Sequence, residues 1–350
     1  MSAGTTVDIE QIDPANRAAL AAWHATVVAA DTFGREENAT PWQLPEVEAE
    51  LAEQTDVTRL VFAGIQDGRT VVVSGQVGMP LRHSTHHADL AVYAHPDHRR
   101  RGHGTRMLAH LEEVARGHGR TVANAEAAWP YDAPADGTGT PAGEFLRSCG
   151  YKFGIGDVMR TLDLPVDDAV LDALAAEAAP HHAAYTLRSW AGRVPDELAV
   201  GWADLLADLM IEAPTGEMER QRESAGVEEM RRHEALVAAQ GRTTYNTVAL
   251  DADGWPVAYS NLAVTRHEPG NAFQWGTLVR PEHRGHRLGL AVKAVNLRFY
   301  QDTVRHDEER ATRLRTWNAE INTHMVSVNE RLGFRAVERL GEFQKGLVGA

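Results

Sequence analysis

A single cysteine, Cys149, in 350 residues leaves no intrachain disulfide to form. That excludes the cross-linked scaffold of a small secreted domain and points to a reducing compartment. Basic residues are also scarce, with 35 Lys plus Arg against 49 Asp plus Glu and a formal charge of -14, the wrong sign for a chain that mainly grips nucleic acid or an anionic membrane. Any anionic ligand must therefore find a local basic patch. No apolar run approaches the roughly 20 residues that span a bilayer, and Met1 to Asp8 lacks the basic-then-apolar order of a secretory leader. The expectation is a soluble, cytoplasmic protein, monomer or homodimer, with no nucleic-acid or membrane partner. With 43% hydrophobic and 24% charged residues, the chain is no disordered tail and has the length for two cores of ordinary size.

What is present is a repeat. Ala94-His95-Pro96-Asp97-His98-Arg99-Arg100-Arg101-Gly102-His103-Gly104-Thr105 returns as Val279-Arg280-Pro281-Glu282-His283-Arg284-Gly285-His286-Arg287-Leu288-Gly289-Leu290. Phe145-Leu146-Arg147-Ser148-Cys149-Gly150-Tyr151 is answered, at nearly the same spacing, by Asn329-Glu330-Arg331-Leu332-Gly333-Phe334. Two matches at nearly one spacing argue for two copies of one domain, expected at residues 1–165 and 184–350. Between them, Leu164 to Pro180, with proline boundaries, Asp168 as a cap and an Ala/Leu interior, reads as a helical linker over 166–183.

Periodicity gives both halves the same order. In the second, Tyr185–Trp190 reads as a strand and Pro195–Met210 as a helix, with Leu198, Trp202, Leu205, Leu206 and Leu209 at helical spacing. Thr244–Leu250 and Val257–Val264 form a hairpin around Asp251-Ala252-Asp253-Gly254, and a strand from Ala272 to Val279 runs into the Pro281–Gly285 turn. A helix carrying Leu288, Ala291, Val292, Val295 and Phe299 on one face follows, then a strand Arg313–Trp317 and a helix Thr323–Leu332 stopped by Gly333. The first half has its hairpin turn at Asp67-Gly68.

A basic, glycine-bearing turn at the start of a helix is a seat for an anion, because the first helix amides lack partners and the helix dipole is positive there. Arginines beside it add charge-assisted contacts, and Gly102 and Gly104 let the backbone approach a diphosphate. Neither the P-loop pattern nor the Rossmann Gly-x-Gly-x-x-Gly is present. What remains is Arg-x-x-Gly-x-Gly after a Pro-Asp/Glu-x-Arg turn.

Arg99-Arg100-Arg101-Gly102-His103-Gly104 resembles the acyl-CoA signature of the GNAT acetyltransferases, Gln/Arg-x-x-Gly-x-Gly/Ala, at every specified position. In the second copy Arg284 and Gly289 match, but Arg287 stands at the first glycine, with Gly285 nearby as a source of flexibility. Thr316-Trp317-Asn318-Ala319-Glu320-Ile321-Asn322 through Phe334 is similar to the strand and helix that end GNAT domains. The resemblance implies an α/β fold with mixed α+β sheets, two tandem GNAT domains in a layout similar to mycothiol synthases, and acetyl-CoA as cosubstrate with no metal. It implies CoA contacts from Arg99, Arg100, Arg101, Gly102, His103, Gly104 and Thr105 in the first copy. In the second it implies them from Leu278, Val279, Arg284, Gly285, His286, Arg287, Leu288, Gly289 and Asn322. The expected reaction is transfer of an acetyl group to an amine of a small-molecule acceptor by direct attack, with catalysis in the second copy. A non-catalytic CoA sensor or scaffold, and a protein N-acetyltransferase, stand as alternatives.

An alkyl ammonium with a pKa near 10 must lose a proton before it attacks, at a cost of about 4 kcal/mol at neutral pH. Phe273-Gln274-Trp275-Gly276-Thr277 offers no carboxylate, so the candidate bases are Glu212, Glu320 and His324. The tyrosine that many relatives use as the acid is replaced by Asn329 and Leu146, with Tyr245 and Tyr259 as distant substitutes. Trp129-Pro130-Tyr131-Asp132 reads as a border of an acceptor site or a packed aromatic loop. Cys149 reads as a packed residue, and His83, His86 and His87 lack the accompanying ligands of a zinc site.

Overall fold

The computed structural model describes residues 7–212, 216 and 226–347, with the backbone alone at 210–212. In chain order they form β1 (Val7–Gln11), α1 (Arg17–Thr32), α2 (Leu44–Ala52), β2 (Val57–Gln66), β3 (Thr70–Pro80), β4 (His87–Ala94), α3 (His103–Gly117), β5 (Val122–Pro130), α4 (Pro141–Ser148) and β6 (Lys152–Asp163). There follow α5 (Asp168–Ala178), β7 (Thr186–Ala191), α6 (Ala199–Glu212), α7 (Val227–Ala239), β8 (Arg242–Leu250), β9 (Pro256–Thr265), β10 (Asn271–Val279), α8 (Leu288–Thr303), β11 (Arg313–Ala319), α9 (Thr323–Leu332) and β12 (Arg335–Gly346). They fall into two compact units: the first runs to Gly156 and takes in the chain from Arg339 on, and the second lies between Asp157 and Glu338.

Local chemistry sets the element ends. Asn16 caps α1, its Oδ1 accepting the Ala19 amide at 3.2 Å, and Gln43 with Glu46 forms a capping box on α2. Asp67 and Gly68 take φ of 55° and 64°, the left-handed pair that a two-residue hairpin needs to match the strand twist. Asp251 Oδ1 accepts the amides of Asp253 and Trp255 and closes the β8–β9 turn. Gly333, at φ 97°, stops α9 where the repeat places it.

In the first unit the sheet order is β1-β2-β3-β4-β5 and then the chain's last strand, β12. In the second it is β6-β11-β10-β9-β8-β7, with β6 antiparallel to β11 from Asp157 to Asp163. The strand that ends each sequence half therefore completes the sheet of the other half. Both sheets carry helices on both faces. Met107, Leu108 and Leu111 of α3 pack on Val73, Val77 and Met79, while Leu20 and Trp23 of α1 cover Val61 and Ala63 behind them. In the second unit Leu290, Leu297 and Tyr300 of α8, with Leu171 and Leu174 of α5, meet Tyr245, Leu262 and Leu314. Trp202 and Leu205 of α6 and Met230 of α7 close the opposite face over Val248 and Tyr259.

Helix α6 lies so close to β9 that a methyl group on Gly201 would meet Pro256 Cδ at 2.5 Å and Cγ at 2.7 Å. Overpacking of this kind costs about 1–3 kcal/mol, against a gain of up to about 1 from alanine's helix propensity. Gly201→Ala is expected to lower stability by on the order of 1–2 kcal/mol. Urea unfolding measures it, and a midpoint at or above the wild type's contradicts this packing.

Candidate functional site

Each repeated turn joins the end of a strand to the start of a helix through two left-handed residues. In the first they are Arg100 (φ 63°) and Gly102 (φ 82°), and in the second Gly285 (φ 87°) and Arg287 (φ 51°). The same two backbone positions are filled by Arg and Gly in opposite order, so Arg287 keeps the geometry its glycine counterpart has, at a conformational cost of about 1–2 kcal/mol. Its guanidinium pairs with Glu177 of α5, which also holds Arg331. The motif arginines brace the turns: Arg99 Nε donates to the Ala94 carbonyl at 3.1 Å, and Arg284 Nε to that of Val279 at 3.3 Å. The first α3 bond runs from Arg106 N–H to Gly102 and the first α8 bond from Ala291 N–H to Arg287. The amides of His103, Gly104 and Thr105, and of Leu288, Gly289 and Leu290, have no acceptor among the described residues. Arg284, Gly285, His286 and Arg287 are exposed around the second set, as Arg99, Arg100, Arg101 and Gly102 are around the first. His103 is buried, with both ring nitrogens unpartnered among the described residues, and burial, His98, Arg101 and Arg106 all hold its pKa down.

Beside each turn the sheet opens. β4 and β5 run parallel and pair only at His87–Asp89 with Val122–Asn124; β10 and β11 pair only at Asn271–Phe273 with Arg313–Arg315. Leu278 and Val279 lie on β10 beyond the point where its partner has left. The second gap has a feature the first lacks: Gln274 pairs with Leu262 and Gly276 with Asn261, so Trp275 is an extra residue bulged out of β10. The β3–β4 pairing runs without such a break. Gln274 and Asn261 stitch the bulge, the Gly276 amide donating to Asn261 Oδ1 at 2.8 Å and Gln274 Nε2 to the Asn261 and Gly276 carbonyls at 2.5 and 3.0 Å. Glycine is required at 276, because a Cβ there would lie 2.4 Å from the buried Tyr259 hydroxyl.

One face of this gap is aromatic. Phe273 stacks on Trp317 at 6.3 Å, and the Arg242 guanidinium lies 5.5 Å from Phe273 and 5.7 Å from Trp275. The ring of His233, exposed on α7, is 6.4 Å from that of Trp275; partial desolvation lowers its pKa, Glu234 opposing. It is a neutral proton acceptor at neutral pH, and the sequence reading missed it together with its helix. Val227, Met230 and Val237 were the available signal. Of the expected bases, Glu320 and His324 are exposed on either side of the α9 start, and the Glu212 side chain lies outside the described residues. Asn322 caps α9, accepting the Met325 amide at 3.2 Å. Tyr245 and Tyr259 are buried and burial raises both phenol pKa values, which makes them poor proton donors.

In the first unit Trp129 is core, donating to the Pro134 carbonyl, while Tyr131 is exposed under Arg339. Cys149 is half-buried at the end of α4, and burial raises its thiol pKa. Among the described residues no three His, Cys, Asp or Glu side chains are grouped to hold a metal ion.

The other face of the second gap holds a chain of three polar side chains. Lys293 Nζ donates to Asn329 Oδ1 at 2.5 Å, and Asn329 Nδ2 to Asn318 Oδ1 at 2.6 Å. Burial pushes the lysine down to about 7. Between that value and the usual lysine value of about 10.4 the unfolded chain binds more protons here than the folded one, so stability rises with pH. Any stability advantage of Lys293→Met is thus largest at and below neutral pH and shrinks toward pH 10, by up to about 1.4 kcal/mol per unit. Denaturant unfolding at about pH 6, 8 and 9.5 checks this, and a constant difference contradicts it.

Residues 28–131 match the family model described as acetyltransferase (GNAT) family. No curated protein sequence matches the chain. A solved tandem GNAT protein from the clavulanic acid biosynthesis pathway, without AcCoA, is 26% identical over 98% of this chain and 99% of its own, with a TM-score of 0.79. A GCN5-related N-acetyltransferase from Sphaerobacter thermophilus is 16% identical, over 97% and 96% of the two chains, with a TM-score of 0.63. A glucosamine N-acetyltransferase region of a fungal multi-domain GH3 beta-N-acetylglucosaminidase is 16% identical over 98% of this chain and 38% of that one, also at 0.63. The chain carries a domain of the GNAT acetyltransferase family at residues 28–131 and has, over nearly its whole length, the fold of a tandem GNAT protein.

Proposed function

We propose that the protein transfers an acetyl group from acetyl-CoA to an amine of a small-molecule acceptor, with the chemistry in the second unit. The observation that carries this reading is β10: it parts from β11 after Phe273, bulges at Trp275 and feeds a helix whose first amides lack acceptors. The amides of Leu288, Gly289 and Leu290, ringed by Arg284, Gly285, His286 and Arg287, would take the diphosphate. The main chain of Leu278 and Val279, with Asn322 opposite, would take the pantetheine arm. Arg99 to Thr105 offer the first unit an equivalent seat for a second CoA.

A bound acetyl thioester supplies an activated acyl carbon. The chain's part is to hold the acceptor against it and to move a proton. As the amine lone pair forms the new C–N bond, the C–S bond breaks and its electron pair leaves on sulfur; the ammonium proton passes to a base. Neutral His233, near Trp275, would act as that base directly or through a water; Glu212, Glu320 and His324 are the other candidates. With a pKa near 8.5 the thiolate leaves with little help. A bulge frees backbone groups from the ladder, and main-chain donors of β10 would face the charge that develops on the thioester oxygen.

A neighbour that serves a pathway building a small molecule supports a small acceptor. One cysteine, and no helix among the described residues long and apolar enough to cross a membrane, support a cytoplasmic setting. The test is thiol release from acetyl-CoA with a panel of small amines and, separately, of amino-terminal peptides. Release with at least one small amine, reduced roughly 10²-fold or more in His233→Ala if that residue is the base, is expected. Tight CoA binding without release for any acceptor contradicts the reading and favours a sensor, and release with peptides alone favours protein acetylation.

A further inference from the structure

Lys293 is 3% exposed on α8 with no counter-charge beside it among the described residues. Besides Asn329 its neighbours are Met325 Sδ at 3.9 Å and the Phe334 ring at 5.5 Å, and burial is the only influence on its charge. Asn329, fully buried on α9, hands the chain on to Asn318, which is half-buried on β11 and has no further partner among the described residues. Polar groups this deep are costly, and the fold does not require them. Aligned through the repeated turns, the helix ends and the starts of the parallel pairs, the same three places in the first unit are Leu108, Leu146 and Ala127, all in its apolar core.

The order of the chain fixes which way its amides face. A lysine nitrogen offers N–H donors in either protonation state, so Asn329 must turn its oxygen to Lys293 and its NH₂ to Asn318. Asn318 must then turn its oxygen to Asn329, which leaves its NH₂ facing away from the core. Its location gives that donor a purpose. Carried forward from Phe273 and Arg315, with Trp275 counted as the extra residue, the parallel register sets Asn318 level with Thr277, across the gap from β10 just past its bulge. The Thr316 hydroxyl, donating to the Gln274 carbonyl at 3.4 Å, spans the gap where it begins.

We propose that Lys293 is a positioning residue which, acting through Asn329, fixes Asn318 as a hydrogen-bond donor to the reacting acyl thioester in the gap between β10 and β11. This rests on the second unit being the acyl-CoA site. No proton leaves the lysine: the chain sets the direction of an amide and, being polarised from its inner end, strengthens the outermost donor.

The experiment uses the full chain in three forms, Asn318→Asp, Asn329→Asp and Lys293→Met, with three readouts: CoA affinity by calorimetry, kcat by thiol release, and the urea midpoint. Asn318→Asp replaces the donor by an acceptor and is expected to lower kcat roughly 10²- to 10³-fold with CoA affinity within about threefold and an unchanged midpoint. Asn329→Asp is the decisive variant. An aspartate there gives Lys293 a counter-charge, so the midpoint is expected to rise; it also draws the Asn318 NH₂ inward, so kcat is expected to fall as far as in Asn318→Asp. Lys293→Met is expected to lose at least about tenfold in kcat while remaining folded. A purely structural network would move stability and kcat together. Asn329→Asp with kcat within threefold of wild type, or losses seen only in CoA affinity, overturns the proposal. Failure of the underlying reading shows separately, as wild-type protein that takes up no CoA, and the proposal falls with it.

Discussion

Two parallel strands that pair for three residues and then part leave main-chain donors and acceptors along their facing edges with no ladder to join. Both units have such a separation, and in the second the bulge, the aromatic side chains and the polar chain are arranged around the one between β10 and β11. The gap is walled by sheet on both sides, so an occupant needs polar groups spaced to meet a backbone. The bulge at Trp275 shifts the register of β10 so that Trp275 and Gly276 turn to one face, where Gln274 and Asn261 hold them. The strand then ends at a turn whose arginine returns a hydrogen bond to its last carbonyl, and α8 begins there with amides that have no acceptor among the described residues.

The two copies share this plan and differ in what surrounds it. The first has the better-matched phosphate turn, an unbroken β4 and apolar side chains where the second has Lys293, Asn329 and Asn318. On the proposed reading, a turn, a gap and a helix start would hold a diphosphate carrier, and a bulge, an aromatic wall and a directed amide would be what chemistry adds. The costs are concentrated accordingly. Each turn carries one left-handed arginine, Arg100 or Arg287, and the second unit adds a lysine held in its core with no acid beside it among the described residues. A duplicated domain can carry such costs in one copy while the other stays conventional.

Much of this was legible in the sequence because it rests on local rules. The repeat, the two basic turns, the hairpins at Asp67-Gly68 and Asp251–Gly254 and the stop at Gly333 are each set by a few neighbouring residues, and the elements around them stand where periodicity places them, within a residue or two at most strand ends. What escaped depends on distant partners. Gln274-Trp275-Gly276 reads as uninterrupted strand, because a bulge is visible only against Leu262 and Asn261 across the ladder. Helix α7, Val-Glu-Glu-Met-Arg-Arg-His-Glu-Ala-Leu-Val-Ala-Ala, is so charged that its narrow apolar stripe gives little signal, and His233 was hidden with it. The exchange of β6 and β12 leaves no trace in either copy's own pattern. Lys293 reads as one polar residue on an amphipathic helix, since nothing nearby in sequence shows that α9 covers it.

The central claim is that the parting of β10 from β11 and the free amides of α8 form one continuous seat for an acyl-CoA. A crystal structure of the full chain grown with coenzyme A tests it most directly. The expected result is the diphosphate against the amides of Leu288, Gly289 and Leu290, with the pantetheine arm between the two strands and its sulfur beside Gly276. Density for the cofactor elsewhere in the second unit, or none there at saturating coenzyme A, would contradict it.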